Sequence, residues 1–273
     1  MRRQTVLAIA VLLVAGRNLI KSLERSAAND IAQRIHSRNV TVRLQADSPF
    51  DYLSAKVDRI TVRASDFAVE ELPFTIDETA PKTGRIDRFV IELRDAQLAG
   101  LRAERVFLEA PNVYFDLGVA IKRRVFQLSA SGTGRAEIVV TEQSLADFIM
   151  RKYKGTVRDI TVRITPDKTV VEGKALVIVG EASFRAEGVL RPREGIYLDL
   201  AELRLWLDGR ETDPQTGRTI AAFLNPVIDA VKDLKVSDAL RIDELELLDG
   251  KMIGRGPARA PLPMDVFLKR SRP

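Results

Sequence analysis

The sequence predicts an α+β fold, in which a long, curved, bulged antiparallel sheet wraps around a few amphipathic helices. About eight to ten stretches alternate apolar and polar residues with a period of two, which is typical of half-buried strands. A few other stretches repeat apolar residues three and four positions apart, as amphipathic helices do. Two extended stretches change the parity of their apolar residues midway, which predicts bulges that curve the sheet.

The composition excludes several classes of function. The chain has no cysteine, so disulfides, thiolate catalysis and an N-terminal lipid-modified cysteine are excluded. His36 is the single histidine, which excludes a site built from several histidines. The net charge is only +5, and no basic run is interleaved with aromatic residues, so we expect no nucleic-acid partner.

Residues 1–16 are predicted to be a signal peptide or a signal anchor. Arg2 and Arg3 precede an apolar run from Val6 to Gly16. This run is too short for a bilayer core, which needs about 20 residues, but it fits the apolar region of a signal peptide. We therefore expect export to an extracytoplasmic site in the cell envelope, with cleavage after Gly16 or retention as an anchor both open. The alternative is a buried N-terminal helix of a cytosolic protein.

Residues 17–38 are predicted to form an amphipathic helix that ends near His36, and residues 39–257 are predicted to form the main domain. The domain begins with period-two strands from Val40 onward. One long strand changes parity at Pro111, which predicts a bulge on an edge strand. A second bulge is expected at Ala201-Glu202, where the parity of the leucines changes again.

Two helices are expected within this domain. The first begins after Thr141, a suitable N-cap, and ends at Gly155. The second carries an apolar stripe from Ile220 to Leu234 and should kink or restart at Pro226. A hairpin at Asp249-Gly250 follows, and the basic, proline-rich tail over residues 258–273 is expected to fray.

Three stretches carry a resemblance to a known family. LNPVID at residues 224–229 and ALRIDELELLDGKMIGRG at residues 239–256 resemble the C-terminal signature of the LmeA family of bacterial envelope phospholipid-binding proteins. SPFDYLSAKVDRITVRASDF at residues 48–67 resembles the N-terminal pattern of that family. The resemblance implies a fold similar to tubular lipid-binding domains and a non-enzymatic phospholipid-binding function, with acyl chains held in an apolar cavity.

The resemblance also implies partners and a binding site. The expected partners are phospholipid or another membrane lipid and the membrane surface, and Arg123 and Arg124 are candidates for headgroup contacts. The apolar residues of the two later helices are expected to line the acyl cavity, although the same residues could be ordinary core. They are Leu145, Phe148, Ile149, Ile220, Phe223, Leu224, Val227 and Ile228.

Two other functions remain open at the level of sequence. An envelope scaffold without lipid cargo would present an exposed apolar patch instead of an internal cavity. A hydrolase could use paired carboxylates, such as Glu244 with Glu246 or Glu70 with Glu71. The lipase pattern G-x-S-x-G is absent. We therefore predict no enzymatic activity, no catalytic residue, no metal and no cofactor.

Overall fold

A computed structural model describes residues 20–46, 56–72, 75–123, 127–177, 180–236 and 239–263. The predicted leader over residues 1–16 lies outside these ranges. The described helices are α1 over residues 20–35, α2 (Leu117–Arg123), α3 (Glu142–Lys152) and α4 (Pro214–Leu224). Strands make up most of the remaining structure, so the α+β class is confirmed.

The described part of the chain contains fourteen strands. In chain order they are β1 (Asn39–Gln45), β2 (Lys56–Val69), β3 (Gly84–Leu98), β4 (Leu101–Phe115), β5 (Leu128–Ala130), β6 (Gly134–Thr141), β7 (Val157–Ile164), β8 (Thr169–Val177), β9 (Gly180–Arg193), β10 (Tyr197–Leu207), β11 (Arg210–Glu211), β12 (Ile228–Asp229), β13 (Glu244–Leu248) and β14 (Lys251–Ala258).

These strands form two sheets instead of the single antiparallel sheet that was expected. The first sheet has the order β1-β2-β3-β4-β6-β14-β13, with β5 beside β4. The second has the order β11-β10-β9-β8-β7, with β12 beside β10. The pair β2 and β3 is parallel, with Val62 opposite Ile91, whereas every other described strand pair is antiparallel.

Both predicted parity changes are present. Asn112 has φ 50°, and the buried face of β4 passes there from Ala110 to Val113. The register of β9 and β10 shifts between Ala201 and Arg204, where Glu202 has φ 55°. However, the prediction that this strand lies at an edge is wrong, because β4 lies between β3 and β6.

Two neighbouring strands of the first sheet, β2 and β3, are each interrupted by a residue with positive φ. Asp66 in β2 and Asp95 in β3 have φ 56° and 49°, and they follow Ser65 and Arg94, which are register partners. Aspartate tolerates this left-handed conformation better than most residues. Since both strands change parity at the same level, the sheet bends while its apolar side chains stay on one face.

The two later helices differ in how well the sequence predicted them. The start of α3 is confirmed, because the Thr141 hydroxyl accepts a 3.2 Å hydrogen bond from the backbone N–H of Ser144. The helix that contains Ile220 begins earlier than its predicted apolar stripe. It begins at Pro214, capped by the Asp213 carboxylate, which accepts a 3.0 Å bond from the Gln215 N–H.

This last helix, α4, also ends earlier than predicted. The side-chain amide of Asn225 accepts a 2.8 Å bond from the Leu200 N–H and donates a 3.1 Å bond to the Leu200 carbonyl. These bonds fix the chain alongside β10, where Ile228 pairs with Leu198. The apolar stripe beyond Pro226 is therefore not helical.

The C-terminal tail was expected to fray, but its first residues pack against the body of the protein. Ala258, Ala260 and Leu262 are buried in the core. The Pro261 carbonyl accepts a 2.8 Å bond from the Ile76 N–H, which attaches the segment to the body of the protein. Residues 264–273 lie outside the described ranges.

Candidate functional site

Two apolar clusters form the core. One surrounds α3 and contains Leu145, Phe148 and Ile149, packed against the second sheet. The other lies between α1 and the first sheet and contains Ala27 and Ile91. The inward faces of period-two strands supply most of both clusters, because alternation places every second side chain on one side of a sheet.

An apolar cavity of about 220 Å³ lies where the two clusters approach each other. The first sheet forms one wall, with residues from its inward face on β2, β3, β4, β6 and β14. They include Val62, Phe67, Ile91, Leu93, Leu98, Ala103, Val106, Leu108, Ile138 and Met252.

The opposite wall comes from four separate pieces of chain. Ile31 and Ile35 of α1 contribute at one side, and residues 195–198 contribute from the turn into β10. The described residues between Ile228 and Ile242 contribute next, including Leu234 and Leu240, and residues 259–261 also line this side. Gln97, Tyr197 and Arg259 bring the few polar side-chain groups among the lining residues, so a ligand here would meet an almost wholly apolar surface.

Of the residues predicted to line an acyl cavity, Ile228 is on the described wall of this cavity. Val227 is buried in the α3 cluster with Leu145, Phe148 and Ile149, and Ile220 packs against that cluster. Leu224 is half-buried, and its backbone carbonyl accepts a 3.3 Å hydrogen bond from the hydroxyl of Tyr153. The backbone of Phe223 belongs to α4, but its side chain lies outside the described atoms. Lipid contact by these eight residues stays a prediction.

Sequence reasoning missed the sheet wall. It assigned the cavity to helices, whereas most of the wall comes from strands, chiefly β2, β3 and β4. A signal was present, because the apolar positions of these strands alternate as an inward face requires. The same alternation describes strands over a filled core, so it could not by itself distinguish the two.

Lys152, at the end of α3, holds the segment from Pro226 to Asp233, part of which lines the cavity. Its ammonium group donates hydrogen bonds of 2.9 Å to the Pro226 carbonyl and 3.2 Å to the Val227 carbonyl. It also forms a 2.6 Å ion pair with Asp233, whose carboxylate accepts a 2.9 Å bond from the Asp229 N–H. One cation therefore fixes the segment at three points.

Tyr153 supports the same segment from the next position along the chain. Burial raises the pKa of its phenol, and the charge of Asp233 raises it further. The phenol therefore stays neutral at physiological pH and remains a hydrogen-bond donor to the Leu224 carbonyl.

The acidic pairs considered for a hydrolase do not line the cavity. Glu246 forms a 2.8 Å ion pair with Arg255, and Glu71 forms a 3.0 Å ion pair with Lys235. Both glutamates are exposed. These pairs have the exposure and partners of surface ion pairs, which carry no implication of catalysis.

The large hydrophobic side chains that are exposed in the described structure are Ile121 and Leu176. They belong to different elements, the helix α2 and the strand β8. Arg123 is exposed at the end of α2, and Arg124 lies outside the described residues. No described helix is long and apolar enough to cross a membrane.

Comparison with known proteins identifies a family. The model of a family described as LmeA-like phospholipid-binding matches residues 79–256. This range includes most of the cavity wall, from β3 to β14. Searches of curated proteins and of solved structures returned no significant match.

Proposed function

Because the chain belongs to the LmeA-like phospholipid-binding family, we propose that it binds phospholipid non-enzymatically and holds the acyl chains in the apolar cavity. The cavity between the two clusters is the observation that carries this proposal. Transfer of an acyl chain from water to an apolar wall gains about 0.8 kcal/mol per buried methylene. A phospholipid also needs a polar site or a polar exit for its headgroup.

The proposal includes a place in the cell. We propose that the protein acts outside the cytoplasm, in the bacterial cell envelope, with residues 1–16 as signal peptide or membrane anchor. The apolar run from Val6 to Gly16 supports export. A tubular lipid-binding-like arrangement, in which curved sheets enclose lipid, is part of the same proposal. The aligned interruptions at Asp66 and Asp95 support it by bending the first sheet.

The decisive experiment identifies the molecule that the protein carries. The full chain is expressed in a bacterial host and purified without detergent, and its ligand is identified by native mass spectrometry and organic extraction. Stoichiometric phospholipid that resists gel filtration is the expected result. A lipid-free protein that also fails to extract lipid from liposomes would contradict the proposal.

The cavity must also be shown to be the binding site. Val106 is half-buried and lines the cavity on β4, whereas Val171 is half-buried on β8 and packs against the α3 cluster away from it. Replacing Val106 with Trp fills space that the acyl chains would occupy, and Val171→Trp is the matched control. Equal loss of lipid in both variants would indicate a general folding defect and would not support this site.

A further inference from the structure

A second cavity, of about 120 Å³ and polar in character, shares a wall with the apolar one. Its walls are the segment over residues 76–82, strand β5 with the residue that follows it, and the segment over residues 259–262. Arg259 and Ala260 line both cavities, so a single short segment borders an apolar space and a polar space. This arrangement suits an amphipathic ligand.

Backbone hydrogen bonds hold the walls of the polar cavity in place. The Ile76 N–H donates to the Pro261 carbonyl at 2.8 Å, and the Asp77 N–H donates to the Leu128 carbonyl at 2.8 Å. The Ala260 N–H donates to the Ser131 hydroxyl at 3.2 Å. The three segments are thus connected pairwise, and the cavity is a built feature of the fold.

The turn that begins at Asp77, beside the polar cavity, is also held by hydrogen bonds. The Asp77 carboxylate accepts a 2.6 Å bond from the Thr79 hydroxyl and a 3.0 Å bond from the Thr79 N–H. The Thr79 hydroxyl, the Thr79 N–H and the Gln127 amide lower the pKa of Asp77, so the carboxylate stays ionised and keeps these bonds. Lys82 follows five residues later, at the end of the segment that this turn orients.

Two polar side chains that line this cavity, Ser129 and Lys82, have no partner in the described part of the protein. Ser129 is 1% exposed, and its hydroxyl has no hydrogen-bond partner among the described atoms. An unsatisfied buried hydroxyl costs about 1–3 kcal/mol, so such a group usually has a partner outside the chain. Lys82 is exposed, and its ammonium forms no ion pair with any described residue. Both side chains line the same cavity.

The charges of the lining residues favour a ligand that has an anionic group and also a hydrogen-bond donor. Lys82 and Arg259 are cationic, and Glu78 is the one carboxylate among the described lining residues. A phosphate group accepts hydrogen bonds from ammonium, guanidinium and hydroxyl groups. The cavity exceeds several-fold the space of about 10–15 Å³ that one water requires, so it has room for such a group.

We propose that the polar cavity binds the phosphate group of the lipid whose acyl chains occupy the apolar cavity, an inference that rests on the proposed function. The Ser129 hydroxyl and the Lys82 ammonium donate to phosphate oxygens, and Arg259 adds positive charge at the boundary of the two cavities. Glu78 accepts a hydrogen bond from a hydroxyl or ammonium group of the headgroup. The same groups would bind free phosphate, so the experiment must distinguish the two sources.

The test compares two lipids that differ in the phosphate. A fluorescent fatty acid bound to the full chain is displaced by phosphatidylglycerol or by diacylglycerol with the same acyl chains. Loss of one charge-assisted hydrogen bond should weaken phosphatidylglycerol binding about tenfold in Lys82→Ala, and Ser129→Ala should weaken it several-fold. Neither variant should change the displacement by diacylglycerol.

The controls address folding and surface charge. Ser129→Ala removes an unsatisfied hydroxyl, so its thermal unfolding midpoint should equal or exceed that of the original protein. Lys154→Ala removes an exposed lysine that lines none of the described cavities, and it should leave both lipids unaffected.

Each outcome has a distinct meaning. If Ser129→Ala and Lys82→Ala leave phosphatidylglycerol binding unchanged, or weaken both lipids equally, the headgroup site is wrong while lipid binding stands. If neither lipid displaces the probe from the original protein, the proposed function itself fails. Inorganic phosphate that competes with phosphatidylglycerol but not with diacylglycerol supports a headgroup site. Phosphate that binds at Ser129 without affecting phosphatidylglycerol indicates a free-phosphate site and overturns the proposal.

Discussion

Lys152 and Asp233 form an ion pair across 81 positions of sequence, with 2.6 Å between the ammonium nitrogen and a carboxylate oxygen. Their side chains are 19% and 14% exposed, so solvent screens the pair only in part. The pair attaches a segment that lines the apolar cavity, from Ile228 to Val236, to the end of α3. Its strength should therefore affect both stability and lipid retention.

Replacing Lys152 with Met should lower the free energy of unfolding by about 2–3 kcal/mol, because it leaves a largely buried carboxylate and two carbonyls without their cation. Urea denaturation measures this change. A double-mutant cycle with Asp233→Asn should give a coupling energy above about 1 kcal/mol. Additive effects of the two changes would show that the pair does not act as a unit.

Filling the cavity should separate lipid binding from folding. Val106→Trp should reduce co-purified phospholipid at least tenfold, since the indole would occupy space on the cavity wall. Val171→Trp should retain the lipid, and both variants should keep the far-ultraviolet circular dichroism of the original protein. Full retention of lipid by Val106→Trp would place the ligand elsewhere.

Two glycines should respond to alanine in opposite directions. A Cβ at Gly134 would lie 1.8 Å from the Glu109 carbonyl oxygen on the neighbouring strand, so Gly134→Ala should destabilise the fold by about 2–3 kcal/mol. At Gly217 in α4 the nearest atom is 3.7 Å away, and Gly217→Ala should stabilise the fold by about 0.5–1 kcal/mol. Thermal unfolding measures both; a stabilised Gly134→Ala would mean that β4 and β6 can separate without cost.

Acid should weaken the first sheet through Glu137. A hydrogen bond from Arg255 lowers the pKa of this carboxyl, and the charge of Arg105 lowers it further, whereas partial burial opposes them. The resulting stabilisation, about 0.5–1 kcal/mol, is present above the unfolded pKa of about 4.3 and is lost as the pH falls through the lowered folded value.

Urea denaturation at pH 7 and at pH 3 measures this loss. Glu137→Gln should be less stable than the original protein at pH 7 and should lose less stability on acidification. Glu104→Gln, at an exposed position on β4, is the control and should keep the original pH dependence. Identical pH profiles for all three proteins would assign the acid sensitivity to other groups.

Local features were predictable from the sequence. The Thr141 cap, the parity changes at Pro111 and Ala201-Glu202, and the hairpin at Asp249-Gly250 depend on neighbouring residues and are all present. Each follows from backbone chemistry within a few positions, such as the acceptor oxygen of a capping side chain.

Features that depend on distant residues were not predictable. The parallel pairing of β2 with β3 and the division into two sheets arise from contacts between segments that the pattern alone cannot match. The apolar stripe continued through Pro226, but the bonds between Asn225 and Leu200 end the helix and send Ile228 into a strand. A cavity wall and a filled core have the same alternation, so the sequence could not show that strands form much of the wall of the apolar cavity.

The position of the cavity gives a bound lipid a role in the architecture. Its walls combine Val62 and Phe89 from the α1 cluster with Val140 and Leu198 from the α3 cluster. Acyl chains there would touch both clusters, so neither could open without releasing them. Ligand that binds only the folded state raises the unfolding midpoint as its concentration rises. Lipid would thus act as a removable part of the core that joins the two clusters. Without lipid in the cavity, the two clusters would unfold less cooperatively.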